Sequence, residues 1–222
     1  MQDLLQNLNI PSDCKIEKRL TKKQFIENFA SRANEKKLLS SDVESITLEY
    51  LLNKNNISIQ PFQDEEHDYS EIAFIKVAIY NEGKVKKIAP IIQNIPYPLI
   101  VLFTCKDKIC INMAPKRINK NDSTKLVVED LYFTKWIDLK KSSHLEKEFF
   151  KSLQIQNHSF IDFLSFYNSY LDKIIAFNAS EYSQRFSVNE ETKEKLKQIS
   201  LYEMQISELK SKIKKRQILT TG

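Results

Sequence analysis

Lys76 stands inside the apolar run Ile72-Ala73-Phe74-Ile75-Lys76-Val77-Ala78-Ile79-Tyr80, which reads as a strand. A lysine fixed mid-strand is one part of a phosphodiester-cutting arrangement. In that chemistry an acid on one strand and an acid-x-Lys on the next hold a divalent cation, while the ammonium assists at the attacked phosphate. Here the position two before Lys76 is Phe74, so the acid is missing from its place. Asp64, Glu65, Glu66, Asp68 and Glu71 lie nearby, although an acidic cluster ahead of a strand reads first as a solvated loop. Glu82-Gly83-Lys84 has the spacing but falls in a turn. A cutting site would therefore rest on Glu71 and Lys76.

Lys116-Arg117-Ile118-Asn119-Lys120-Asn121 offers different chemistry. Bases and amides in a loop between two sheet strands can hold phosphates or reach base edges, so Lys116, Arg117 and Lys120 are the candidate nucleic-acid contacts. Lys15 to Lys23 is a second basic stretch. A third is Lys210, Lys212, Lys214, Lys215 and Arg216, where cations near a helix C-terminus also suit the macrodipole. The net charge of +5 is a weak pointer by itself, because Lys, Asn and Ile beside little Gly is also what an AT-rich genome encodes.

Other catalytic sets are not legible. His67, His144 and His158 are separated and read as surface or capping residues, and no metal-ligand spacing appears. Three cysteines, Cys14, Cys105 and Cys110, do not make a disulfide framework. With Asp107-Lys108 as a two-residue turn, Cys105 and Cys110 face each other across a hairpin, where they pack side by side or bond under oxidation. Only two glycines occur, Gly83 and Gly222. That disfavours a phosphate-cradling loop, a dinucleotide fingerprint and a serine-hydrolase elbow, and no cofactor is expected.

The elements that must position these residues come in three regions, 1–140 as a sheet domain, 141–187 as helices packed on it, and 188–222 as a basic coiled-coil-like helix. A helix runs from Thr21, its N-cap, to Arg32, with Phe25, Ile26 and Phe29 on one face. Ser41-Asp42-Val43-Glu44 has capping-box form, yet Ile46, Leu48 and Tyr50 alternate, which favours a strand from Ser45 to Leu51. Val85 to Asn94 reads as a helix shortened by Pro90, and Leu99-Ile100-Val101-Leu102-Phe103 as a strand covered on both faces. A further strand is expected from Lys125 to Trp136. Ser143-His144-Leu145-Glu146 opens a helix to Leu153, and Phe160 to Phe177 forms a largely buried one. The fold class is α+β, a mixed β-sheet flanked by helices with a C-terminal helical arm. In that arm Ile199, Tyr202, Ile206, Leu209 and Ile213 step by three and four, a heptad seam of little more than two repeats that needs a partner.

Ile10-Pro11 through Cys14, Lys18-Arg19-Leu20 with Lys22-Lys23, Ile95-Pro96-Tyr97-Pro98 before an apolar strand, Lys116-Arg117-Ile118-Asn119, Trp136-Ile137 and the helical tail occur in this order. Together they resemble the bacterial domain-of-unknown-function family 4391 over nearly the whole chain. The resemblance implies a setting beside helicase and DNA methyltransferase genes in restriction-like or phage-defence loci, and it brings no catalytic residues. The expected function is a non-catalytic accessory or adaptor subunit of a DNA-processing assembly. It would bind a helicase or methyltransferase subunit, DNA, or a second copy through the C-terminal helix. The alternative is a metal-dependent nuclease, or a degenerate one, since the order helix, strands, helix, strand is compatible with the core of restriction-type nucleases. No apolar run approaches the roughly 18 to 20 residues of a spanning helix and the amino end lacks a signal-peptide pattern, so a cytoplasmic location without membrane contact is expected.

Overall fold

The computed structural model describes residues 2–183 and 185–188, together with Gln198, Leu201, Gln205 and Leu209. The chain runs α1 (Gln2–Asn7), β1 (Lys15–Leu20), α2 (Lys22–Phe29), α3 (Ala33–Asp42), β2 (Val43–Asn53), β3 (Phe62–Gln63), β4 (Asp68–Tyr69) and β5 (Glu71–Ile79). It continues through α4 (Val85–Ile92), β6 (Leu99–Cys105), β7 (Lys108–Met113), β8 (Lys116–Asn119), β9 (Asp122–Val128), β10 (Tyr132–Phe133), β11 (Ile137–Asp138), α5 (His144–Ser152) and α6 (Phe163–Ser183). The main sheet has the order β1-β2-β5-β6-β7-β10, and β11 also pairs with β7. Its pairs are antiparallel except β5 with β6, which α4 joins as a parallel crossover. The expected mixed sheet flanked by helices is the fold, and it is α+β.

Alternation along the strands sorts the core into two layers. Ile72, Phe74, Ile100, Leu102, Ile111 and Met113 face α1, α5 and α6, where Leu4, Leu8, Phe149 and Phe166 meet them. Ala73, Ile75, Val77, Val101 and Phe103 face α2, α3 and α4, where Phe25, Leu39 and Ile88 close the other side. β6 is buried along its whole length because both layers cover it.

Local chemistry sets most boundaries. Thr21 caps α2 by accepting from the Gln24 N–H. The helix stops at Phe29, three residues short of the expected end at Arg32, and a second helix that was not expected follows it. α3 begins because Glu35 accepts from the Ser31 and Arg32 N–H groups at 3.0 and 3.1 Å, and it ends at Asp42, directly before β2, which starts two residues ahead of the expected Ser45. The Ser143–Glu146 capping box opens α5 as expected. α6 begins three residues after Phe160, since the Asp162 carboxylate accepts the Ser165 N–H at 2.7 Å.

Two expectations are corrected. The 125–136 segment is not one strand of the main sheet. Its first four residues lie in β9, which pairs with β8 in a separate two-stranded ribbon, and β10 supplies only two residues to the sheet. Glu129 and Asp130 between them are charges that a strand covered on both faces would have to desolvate. The β6–β7 turn is Lys106-Asp107, one residue earlier than expected, with Lys106 in the left-handed region at φ 54°. Cys105 therefore pairs with Lys108 and Cys110 with Phe103, so the two thiols are diagonal neighbours rather than opposite ones. The Cys110 thiol donates to the Thr134 carbonyl at 3.1 Å, and burial pushes its pKa up to about 12.

Candidate functional site

The strand lysine and its surroundings form the most chemically loaded point of the sheet. Lys76 lies opposite Thr47 on β2. Two steps along, the register slips, because Leu48 pairs with Ile75 and Tyr50 with Phe74, which leaves Glu49 as the extra residue of a bulge. The bulge turns the Glu49 carboxylate inward to 2.5 Å from the Lys76 ammonium, with the Glu49 side chain 5% exposed and that of Lys76 31%. Glu49 was not legible as a site residue. Its sequence setting, Leu48-Glu49-Tyr50, is that of an ordinary solvent-facing strand position, and only the bulge makes it otherwise. Phe74, in the place of the missing acid, is fully buried and meets Tyr50 and Tyr170 edge-on. Glu71 begins the same strand five residues before Lys76, about 16 Å away at strand rise. The structure does not bring that pair together. Burial and then the neighbouring Asp68 raise the Glu71 pKa. Among the described residues no group of three or more His, Cys, Asp and Glu side chains converges as metal ligands.

The expected phosphate-binding loop is the strand β8 and its turn. Lys116 is corrected from an exposed contact to a core residue, because its ammonium donates to the carbonyls of Ile95 and Tyr97 at 2.6 and 2.5 Å. Burial draws its pKa down to about 7. Around it the Lys116 N–H donates to the Tyr69 hydroxyl, the Ala114 N–H to the Tyr167 hydroxyl, and that hydroxyl to the Leu99 carbonyl. Lys116 thus roots the β8–β9 ribbon in the core and is not available to a phosphate. Arg117 is half-buried, with its Nε 3.8 Å from Glu129, and Lys120 is exposed at the turn. Of the three candidate contacts, Lys120 alone is exposed.

His158 is corrected from surface to core. It stacks on Tyr170 with ring centroids 3.5 Å apart, and its Nδ1 lies 2.9 Å from Ser169 Oγ and 3.1 Å from Lys173 Nζ. Burial, then the Lys173 charge, lowers the His158 pKa to about 2, and burial lowers that of Lys173 to about 8. A serine, histidine and lysine in contact invite a nucleophile reading. The geometry does not serve one, since Ser169 donates its proton to the Phe166 carbonyl and Lys173 donates to the Asn157 carbonyl. These groups tie the segment before α6 to the helix itself.

Of the expected seam, Ile199, Tyr202, Ile206 and Ile213 lie outside the described residues. Leu209 is helical and 57% exposed, as is Leu201 at 51%.

The model of a family described as a domain of unknown function, DUF4391, matches residues 8–221. The chain belongs to that family. No curated protein and no solved structure matches it. No helix among the described residues is long and apolar enough to cross a membrane.

Proposed function

We propose that this chain is a non-catalytic accessory subunit of a bacterial, cytoplasmic DNA-processing assembly of the restriction or phage-defence kind. In this role its C-terminal helix docks a helicase or DNA methyltransferase subunit and its basic surface holds DNA. The observation that carries the docking role is the pair Leu201 and Leu209. Each is helical and more than half exposed. Exposed leucines on a helix gain apolar burial only against another surface. The test is co-purification with the helicase or methyltransferase encoded beside it, together with the sedimentation of the chain alone. Ile206→Glu with Leu209→Glu abolishes whichever association the wild type shows. A complex or oligomer unchanged by both substitutions removes the arm from the account.

The second reading is a nuclease-derived sheet, and the Glu49–Lys76 pair favours its degenerate form. A strand lysine beside a carboxylate on the neighbouring strand keeps two of the three groups that cutting needs, and Phe74 replaces the third. A metal held by Glu49 alone would be poorly fixed, because Mg2+ demands near-octahedral oxygen geometry. Cleavage of DNA with Mg2+ or Mn2+ that disappears in Glu49→Gln and Lys76→Ala would restore the active enzyme.

A further inference from the structure

A groove of about 640 Å3 lies between α1, the tip of the β6–β7 hairpin, the 139–142 segment and α5. Lys140, Lys147 and Lys151 line it, and Asp107 is its only carboxylate. Asp107 is already engaged, 2.9 Å from Lys140. Lys147 and Lys151 are exposed, sit one turn apart on the same face of α5, and have no ion-pair partner among the described residues.

The acids of α5 are spent elsewhere. Glu146 accepts from the Ser143 N–H in the capping box and approaches Lys135, while Glu148 lies 3.6 Å from His144. α5 therefore separates its charges, with anions used on other faces and cations turned to the groove. A cation in the last turn suits the helix dipole, which accounts for Lys151 but not for Lys147 or Lys140. Phe150 and Leu139, both half-buried, supply an apolar wall between the lysines.

Cations along a concave track with an aromatic face set among them are the elements of a single-strand site, in which phosphates meet the ammonium groups and an unstacked base meets the ring. A duplex keeps its bases stacked and offers nothing to Phe150. We propose that this groove, rather than the β8–β9 ribbon, binds single-stranded nucleic acid, with Lys140, Lys147 and Lys151 on the phosphates and Phe150 against a base. The proposal rests on the DNA-holding part of the function proposed above and gives that part its place and its strand form.

The test is fluorescence anisotropy of the full chain with labelled 15-mers of thymidine DNA, uridine RNA and duplex DNA over a salt series. Three ammonium contacts give a slope of log affinity against log salt near −2, at about −0.7 per phosphate neutralised on a single strand. Lys147→Ala with Lys151→Ala weakens thymidine binding at least tenfold at low salt and flattens that slope by about 1.4. Arg117→Ala with Lys120→Ala leaves both unchanged. All four positions are exposed or half-buried surface residues, so folding is retained and is checked by circular dichroism. Equal binding of the DNA and RNA strands supports a site that reads phosphate and base face, and a preference between them supports it while naming the source. Loss confined to the ribbon variant overturns the groove and leaves DNA holding intact. Inorganic polyphosphate displacing the strand at the same phosphate concentration overturns the nucleic-acid assignment. No binding of any oligonucleotide by the wild type overturns both the groove and the DNA role, while partner docking stands on its own measurement.

Discussion

Three buried bases make the stability of this fold depend on pH in an unusual direction. Lys116 has its pKa lowered to about 7 and Lys173 to about 8, each chiefly by burial, and that of His158 is lowered to about 2. Free lysine and histidine titrate near 10.4 and 6.5. Above pH 7 the unfolded chain keeps a proton at Lys116 that the folded chain has shed, so stability rises with pH by up to about 1.4 kcal/mol per unit for that one group. Integrated from pH 7 to 8.5, with Lys116 half-titrated at the start, the gain is about 1.5 to 2 kcal/mol. Lys173 adds to it in the same direction from pH 8. Near pH 8.5 the opposite sign enters. Burial raises the pKa of Cys14 to about 11 and that of Cys110 to about 12, so these thiols stay protonated in the fold while unfolded thiols ionise. The curve therefore levels near pH 9. It falls above pH 10, where Tyr69, raised by burial to about 12, and the fully buried Tyr167 and Tyr170 hold protons that unfolded tyrosines lose. Below pH 6.5 stability falls again, because the unfolded His158 takes up a proton that its buried form refuses. Urea unfolding at half-unit intervals from pH 5.5 to 10 reads this directly. Lys116→Met lowers stability at every pH by taking the ammonium donor from the Ile95 and Tyr97 carbonyls, of which Ile95 keeps the Tyr97 N–H, and it removes the larger part of the rise between pH 7 and 8.5, leaving the share that Lys173 contributes. A wild type flat over that interval, or a variant whose rise equals that of the wild type, would refute the reasoning.

Other expectations concern single elements. Lys76→Met strands the buried Glu49 carboxylate and destabilises by about 2 to 3 kcal/mol, below the 3 to 5 typical of a fully buried pair because Lys76 is partly solvated. Adding Glu49→Gln recovers part of that loss, which a urea double-mutant cycle measures. Ser143→Ala removes the cap of α5 and costs about 1 kcal/mol, read as a lower midpoint at unchanged m-value. Folded protein treated with a mild oxidant forms no Cys105–Cys110 disulfide, and Cys110 is alkylated only as fast as the chain unfolds. Mass spectrometry of digests decides both points.

Much of the scaffold was legible because periodicity and caps are local signals. Thr21, Ser143, the alternation through Ile46, Leu48 and Tyr50, and the continuous run at Leu99 each announce their own element. What was not legible depended on tertiary placement. Lys116 looks like a loop cation in sequence, and only the approach of the Ile95–Tyr97 carbonyls turns it inward. Glu49 acquires its role from a bulge that no residue type advertises, and His158 from a stacking partner twelve residues away. The hairpin register was missed by one residue because Lys106, with no glycine or asparagine to signal it, adopts the left-handed conformation. A slip of that size moves a side chain from one pairing to the next, and it separated the two thiols.

In the proposed role this protein holds and docks rather than cuts. The most direct measurement follows labelled single-stranded and duplex DNA incubated with the purified chain and Mg2+ or Mn2+, reading binding and strand length from the same samples. Salt-sensitive binding with every strand left at full length is the expected result. Cleavage that stops on chelation and is lost in Lys76→Ala would contradict it.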